Sequence, residues 1–222
     1  MNLFSILRDG WYFYSRNLFS LALLCLPLIV LEAVLSHQIA NMVSGNNLTL
    51  ARLAISLVIY PLYSVPLILF LQARSDGQQP RVADLLAAGL RYWPSFALLT
   101  GLATTAIMLG ASLFVLPGLW LMVKLAFAEY LLVVERHTPL QALHESFKLT
   151  TGCFWPTLSC VLIVMLPLWL MDAWSQSSAE LANDALKSIA LDSVSRFLQL
   201  FSSIVLFRLY MLRRAQSPAS AQ

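Results

Sequence analysis

The chain has 222 residues, of which 59% are hydrophobic and only 11% charged, with a formal net charge of +3. A soluble domain carries about 25% charged residues and needs a polar exterior, so this composition excludes a soluble globular protein and points to a lipid environment. The positive charge is too small to suggest a nucleic-acid partner, and three cysteines without a CxxC pair argue against a disulfide framework or thiolate metal site.

A bilayer core needs about 20 apolar residues per helix. Runs that satisfy this lie near 18–36, 53–73, 95–116, 119–134, 154–171 and 193–212. The prediction is therefore an all-α polytopic membrane bundle, one domain of about six transmembrane helices. The first run exceeds a signal-peptide core, lacks a clear cleavage site and is expected to be retained. The third and fourth runs are separated only by Leu116-Pro117-Gly118, read as a tight hairpin turn.

Three segments that precede spans are not plain loops: 4–16, 82–93 and 140–151. Each mixes apolar residues at helical spacing with charges and aromatics, and each has a small residue at a similar place, Gly10, Gly89 or Ser146. Aromatic rings and snorkelling cations favour the membrane surface, so each reads as a cytoplasmic interfacial amphipathic helix. The layout is interfacial helix, span, span, three times over, which suggests an internal three-fold repeat.

Lys and Arg placement orients the bundle. Ten of the 14 fall at the termini, near 74–94 or near 135–153, three fall on the other side (Arg52, Lys187 and Arg196), and Lys124 lies within a span. Both termini are expected in the cytoplasm. The loops near 37–52, with a turn at Gly45, and near 172–192, carrying Asp172, Glu180, Asp184 and Asp192, are expected outside.

Charges inside a bilayer are costly and are candidate functional groups by default. Glu32, Lys124 and Glu129 qualify; they either pair and snorkel for structure or serve transport. Lys124 and Glu129, five residues apart, do not share a helical face. His137, His144 and Glu145 lack the number and spacing of a metal site. Pro27, Pro61, Pro66 and Pro167 within spans mark kinked packing or a broken transport helix. Gly101, Thr105, Ala106 and Gly110 provide small-xxx-small spacing for a close helix contact. No phosphate loop, GxGxxG or GxSxG occurs.

Leu206-Phe-Arg-Leu-Tyr-Met-Leu-Arg213, Val115-Leu-Pro-Gly118, Ser146-Phe-Lys-Leu-Thr150 and the N-terminal Arg8-Asp9-Gly10 with Phe13, Arg16, Asn17 and Phe19 together resemble the YciC family of bacterial inner-membrane proteins. A looser similarity exists to the membrane anchor domain of some glycerophosphodiester phosphodiesterases. The YciC resemblance implies a multi-pass inner-membrane protein. It supplies no catalytic residue, metal or cofactor. The expected function is non-enzymatic, in envelope or lipid homeostasis or as an accessory subunit, with the bilayer and another membrane protein or a second copy as partners. The rivals are a small transporter of a lipid or amphipath using Glu129, favoured by a cavity around that residue, and a membrane enzyme.

Overall fold

The computed structural model describes residues 3–42, 46–151, 154–181 and 185–216. Among them the chain forms nine helices and no strand: α1 (Leu3–Arg16), α2 (Leu18–Met42), α3 (Asn46–Ser75), α4 (Val82–Leu113), α5 (Val115–Leu125), α6 (Ala128–Val134), α7 (Pro139–Thr150), α8 (Phe154–Leu181) and α9 (Ala185–Gln216). Five spans are long and apolar enough to cross a membrane, with a sixth if α7 and α8 to Pro167, whose axes differ by 104°, count together. The turn expected at Gly45, Cys153 and the side chains of Asp172, Glu180, Asp184 and Lys187 lie outside the described residues.

The predicted loops near 37–52 and 172–192 are largely helix, because α2 runs to Met42, α3 starts at Asn46, α8 reaches Leu181 and α9 starts at Ala185. Hydropathy marks where a chain leaves the apolar layer; a helix can continue past that point, since it satisfies its own backbone hydrogen bonds. On the opposite side, α3 ends on Gly77 at φ +74. Gly77 N donates to Arg74 O, and Gln78 N donates to Ala73 O at 2.8 Å, a glycine-terminated cap that only a residue tolerant of positive φ closes cheaply.

Three boundaries differ from the sequence reading. Residues 82–93 are helical as expected but run without a break through Pro94 into the third span, as α4. The chain reverses at Phe114, in extended conformation, and not at Pro117-Gly118. Pro117 instead occupies the first turn of α5, where a missing N–H costs nothing. Gly118 serves the crossing of α4 and α5: a Cβ there would lie 2.8 Å from Ala111 Cα, and one on Gly110 would lie 3.2 Å from Gly118 Cα. The small-xxx-small stripe thus makes an intramolecular contact at Gly110.

The third difference is that the fourth span is two helices, α5 and α6, broken at Ala126-Phe127. Helix α7 mends the break. Ser146 Oγ accepts from Phe127 N at 3.2 Å and donates to Lys124 O at 2.7 Å, and Thr150 Oγ1, which donates to Ser146 O at 2.7 Å, lies 3.3 Å from the same Lys124 carbonyl. Hydroxyls replace the lost helical bonds, as a span in lipid requires. The small residues Gly10 and Gly89 likewise sit at close contacts. An added Cβ on Gly10 would meet Val205 at 3.0 Å and one on Gly89 would meet Pro66 at 3.0 Å.

Candidate functional site

Tyr60 follows Asn46 by 14 residues in α3, and Glu129 follows Val115 by 14 residues along α5 and α6, so each is about 21 Å from the start of α3 or α5. There Tyr60 Oη donates to Glu129, 2.9 Å from Oε2 and 3.1 Å from Oε1. Tyr60 packs edge-on against Tyr63, with ring centroids 5.5 Å apart. On α6 the next residue, Tyr130, donates its hydroxyl to Ser203 O in α9 at 2.9 Å. Among the described residues no lysine or arginine is ion-paired to Glu129.

Glu32, fully buried in α2, receives Arg196 Nη1 from α9 at 2.6 Å. Arg196 is not simply one of the outer cations, as the charge count placed it: its guanidinium turns into the bundle. Its side chain keeps 30% of its surface free. An ion pair in a low-dielectric interior stands only when both members are present, since removing one leaves a buried charge at a cost of about 3–5 kcal/mol.

Tyr60, Glu129 and Arg196 share a cavity of about 730 Å³, which Glu32 does not line. Among the described residues its polar lining includes Tyr60, Ser64, Thr100, Glu129, Arg196 and Gln199, and its apolar walls include Leu53, Leu57, Ile107, Met108, Met165 and Leu206. Its lining on α3 extends from Leu50 to Ser64, fourteen residues or about 21 Å along the axis. The volume falls within the range of small-molecule sites, and polar groups against apolar walls suit an amphipath.

Lys124 stands apart from this cavity. It is buried at the end of α5, donates to Thr151 Oγ1 at 2.9 Å, and lies over the rings of Trp120 and Phe147. Of the histidines, His137 faces Glu135 at 3.1 Å and His144 lines a second pocket. Among the described residues, no three His, Cys, Asp or Glu side chains converge as metal ligands. Cys25 and Cys160 are buried free thiols. The sequence reading missed Tyr60 and Arg196 as partners of the carboxylates, and missed Ser146 and Thr150 as the patch on the fourth span.

Several apolar helices with ionic side chains folded inward define a multi-pass α-helical membrane protein. Within that class the chain belongs to an uncharacterised protein family, UPF0259, whose profile matches residues 46–212, well over half of the chain. This is the YciC family that the sequence motifs resemble, although the N-terminal likeness at Arg8–Phe19 precedes the matched region. A UPF0259 membrane protein of Pectobacterium carotovorum subsp. carotovorum is 26% identical over 152 residues. That match covers 67% of this chain and 59% of the relative's own length. No solved structure matches.

Proposed function

We propose that this protein is a non-enzymatic component of the bacterial cytoplasmic membrane that holds a lipid or similar amphipath inside the bilayer. In this reading it serves envelope or lipid homeostasis, alone or as the accessory subunit of a membrane complex. The observation that carries the reading is the cavity of about 730 Å³, with a tyrosine, a carboxylate and a guanidinium among serines, threonines and mainly apolar side chains. Apolar walls take acyl chain, and the polar residues give a head group hydrogen-bond partners that lipid tails do not. Ala103 lines the cavity on α4, so Ala103→Trp places an indole in the space without touching an ion pair. Wild type purified in mild detergent is expected to carry lipid by native mass spectrometry. Ala103→Trp of unchanged helicity and elution volume is expected to lose the cavity-bound fraction. The same lipids at the same occupancy in both proteins would refute the reading.

Glu129 favours a second reading, coupled transport of the amphipath, because its carboxylate lines the cavity and has Tyr60 as a donor. A carboxylate able to gain and lose a proton in a membrane cavity is a recurrent part of proton relays.

A further inference from the structure

Lys124 poses a problem of charge that the cavity above does not address. Its residue surface is only 7% exposed, yet among the described residues no carboxylate lies within ion-pair distance. An ammonium has three donors. One reaches Thr151 Oγ1, and among the described residues the rest of the charge is met by the Trp120 and Phe147 rings, whose centroids are 5.8 and 5.5 Å away. Buried charges ordinarily have a counter-charge.

Beside it, between α4, α5 and α7, is a pocket of about 510 Å³. Lys124 does not line it, but Thr151 and Phe147, both partners of Lys124, do, so the ammonium is one contact removed from the pocket. Leu102, Ala106, Leu121 and Leu140 make the remainder apolar, and His144 and Lys148 stand at the rim. Lys148 is paired with Glu145 at 2.8 Å, which leaves Lys124 as the uncompensated charge. A free anion would gain nothing from the leucines; an anion carrying an acyl chain would gain from both.

We infer that this pocket is a second lipid site, in which the phosphate of an anionic phospholipid is held at Thr151 by the charge of Lys124 behind it and its chain lies against Leu102, Leu121 and Leu140. The inference does not depend on the α3–α4–α9 cavity.

The test is the melting temperature of the purified protein in mild detergent, titrated with short-chain phosphatidylglycerol, phosphatidylcholine of equal chain length, or inorganic phosphate. In the Ala103→Trp background, where the other cavity is filled, phosphatidylglycerol alone should raise it. Lys124→Gln should raise the half-saturating concentration about tenfold, the loss of one modest ionic contact, while Lys124→Arg should stay near wild type. Leu140 is 69% exposed, so Leu140→Glu is compatible with the fold and should weaken the anionic lipid by repulsion alone. If Lys124→Gln does not fold, Leu140→Glu decides. Ala103→Trp should titrate like wild type, so the failure of one lipid site is distinguishable from the failure of the other. An equal shift with phosphatidylcholine or with phosphate in the Ala103→Trp background, or a Leu140→Glu response equal to wild type, would overturn the inference.

Discussion

Glu129 and Lys124 occupy one span five positions apart, and each meets the burial of charge in its own way. Glu129 accepts from a tyrosine hydroxyl; Lys124 has a threonine hydroxyl and two aromatic faces. The hydroxyl bond to Glu129 survives if the acceptor becomes an amide, because Gln Oε1 still accepts from Tyr60. Glu129→Gln is therefore expected to express well, to change stability by no more than about 1–3 kcal/mol, and to complement a strain lacking the protein. A well-expressed Glu129→Gln that fails to complement would shift the balance to coupled transport. All three charged candidates, Glu32, Lys124 and Glu129, were legible in the sequence because charge interrupts an apolar run. Their partners were not. Tyr60 is 69 residues from Glu129 and Arg196 is 164 from Glu32, and no local spacing links them. Arg196, just inside a span, reads as a snorkelling cation until α2 is seen beside it.

Helices were legible wherever apolar run length decided them, and their ends were legible only where backbone chemistry is local. Gly77 marks the end of α3 because it must adopt φ +74. Pro94 reads as a boundary and is not one, because membrane helices carry proline when neighbours satisfy the freed carbonyl. The break at Ala126-Phe127 contains neither glycine nor proline; its trace in the sequence is the Ser146 to Thr150 segment that mends it. Gly118 reads as a turn residue, but its use is steric. At Gly118 even a methyl would lie 2.8 Å from the Ala111 backbone, whereas one on Gly101 would meet Leu57 at 3.6 Å. Gly118→Val should thus destabilise the purified protein by about 1–3 kcal/mol or more, as overpacking does. Gly101→Ala should be neutral or gain up to about 1 kcal/mol from reduced chain entropy. Thermal unfolding of the two variants in the same detergent checks the contrast, and equal losses would contradict the close crossing.

Across the whole molecule, separate basic segments are tied to neighbouring helices by polar contacts. Arg74 Nη2 donates to Asn17 Oδ1 at 2.8 Å, Arg208 reaches Asp9 at 3.4 Å, and Glu135 receives Tyr210 Oη at 2.7 Å and Arg214 Nε at 3.3 Å. If this is the cytoplasmic end, as the excess of Lys and Arg implies, the α2–α3 connection faces outward and the α3–α4 connection inward. With Cys153 replaced by serine, an impermeant thiol reagent applied to intact cells should label Asn47→Cys and spare Gln78→Cys; the reverse pattern would invert the topology. The pairing of Glu32 with Arg196 also orders events in time. A ribosome completes α2 long before it reaches α9, so the first span enters the bilayer with a carboxylate whose counter-ion has not been made. Until residue 196 emerges, that carboxyl must be protonated or be screened by water or lipid head groups, and a chain that stops short of α9 keeps a buried carboxyl without its counter-ion.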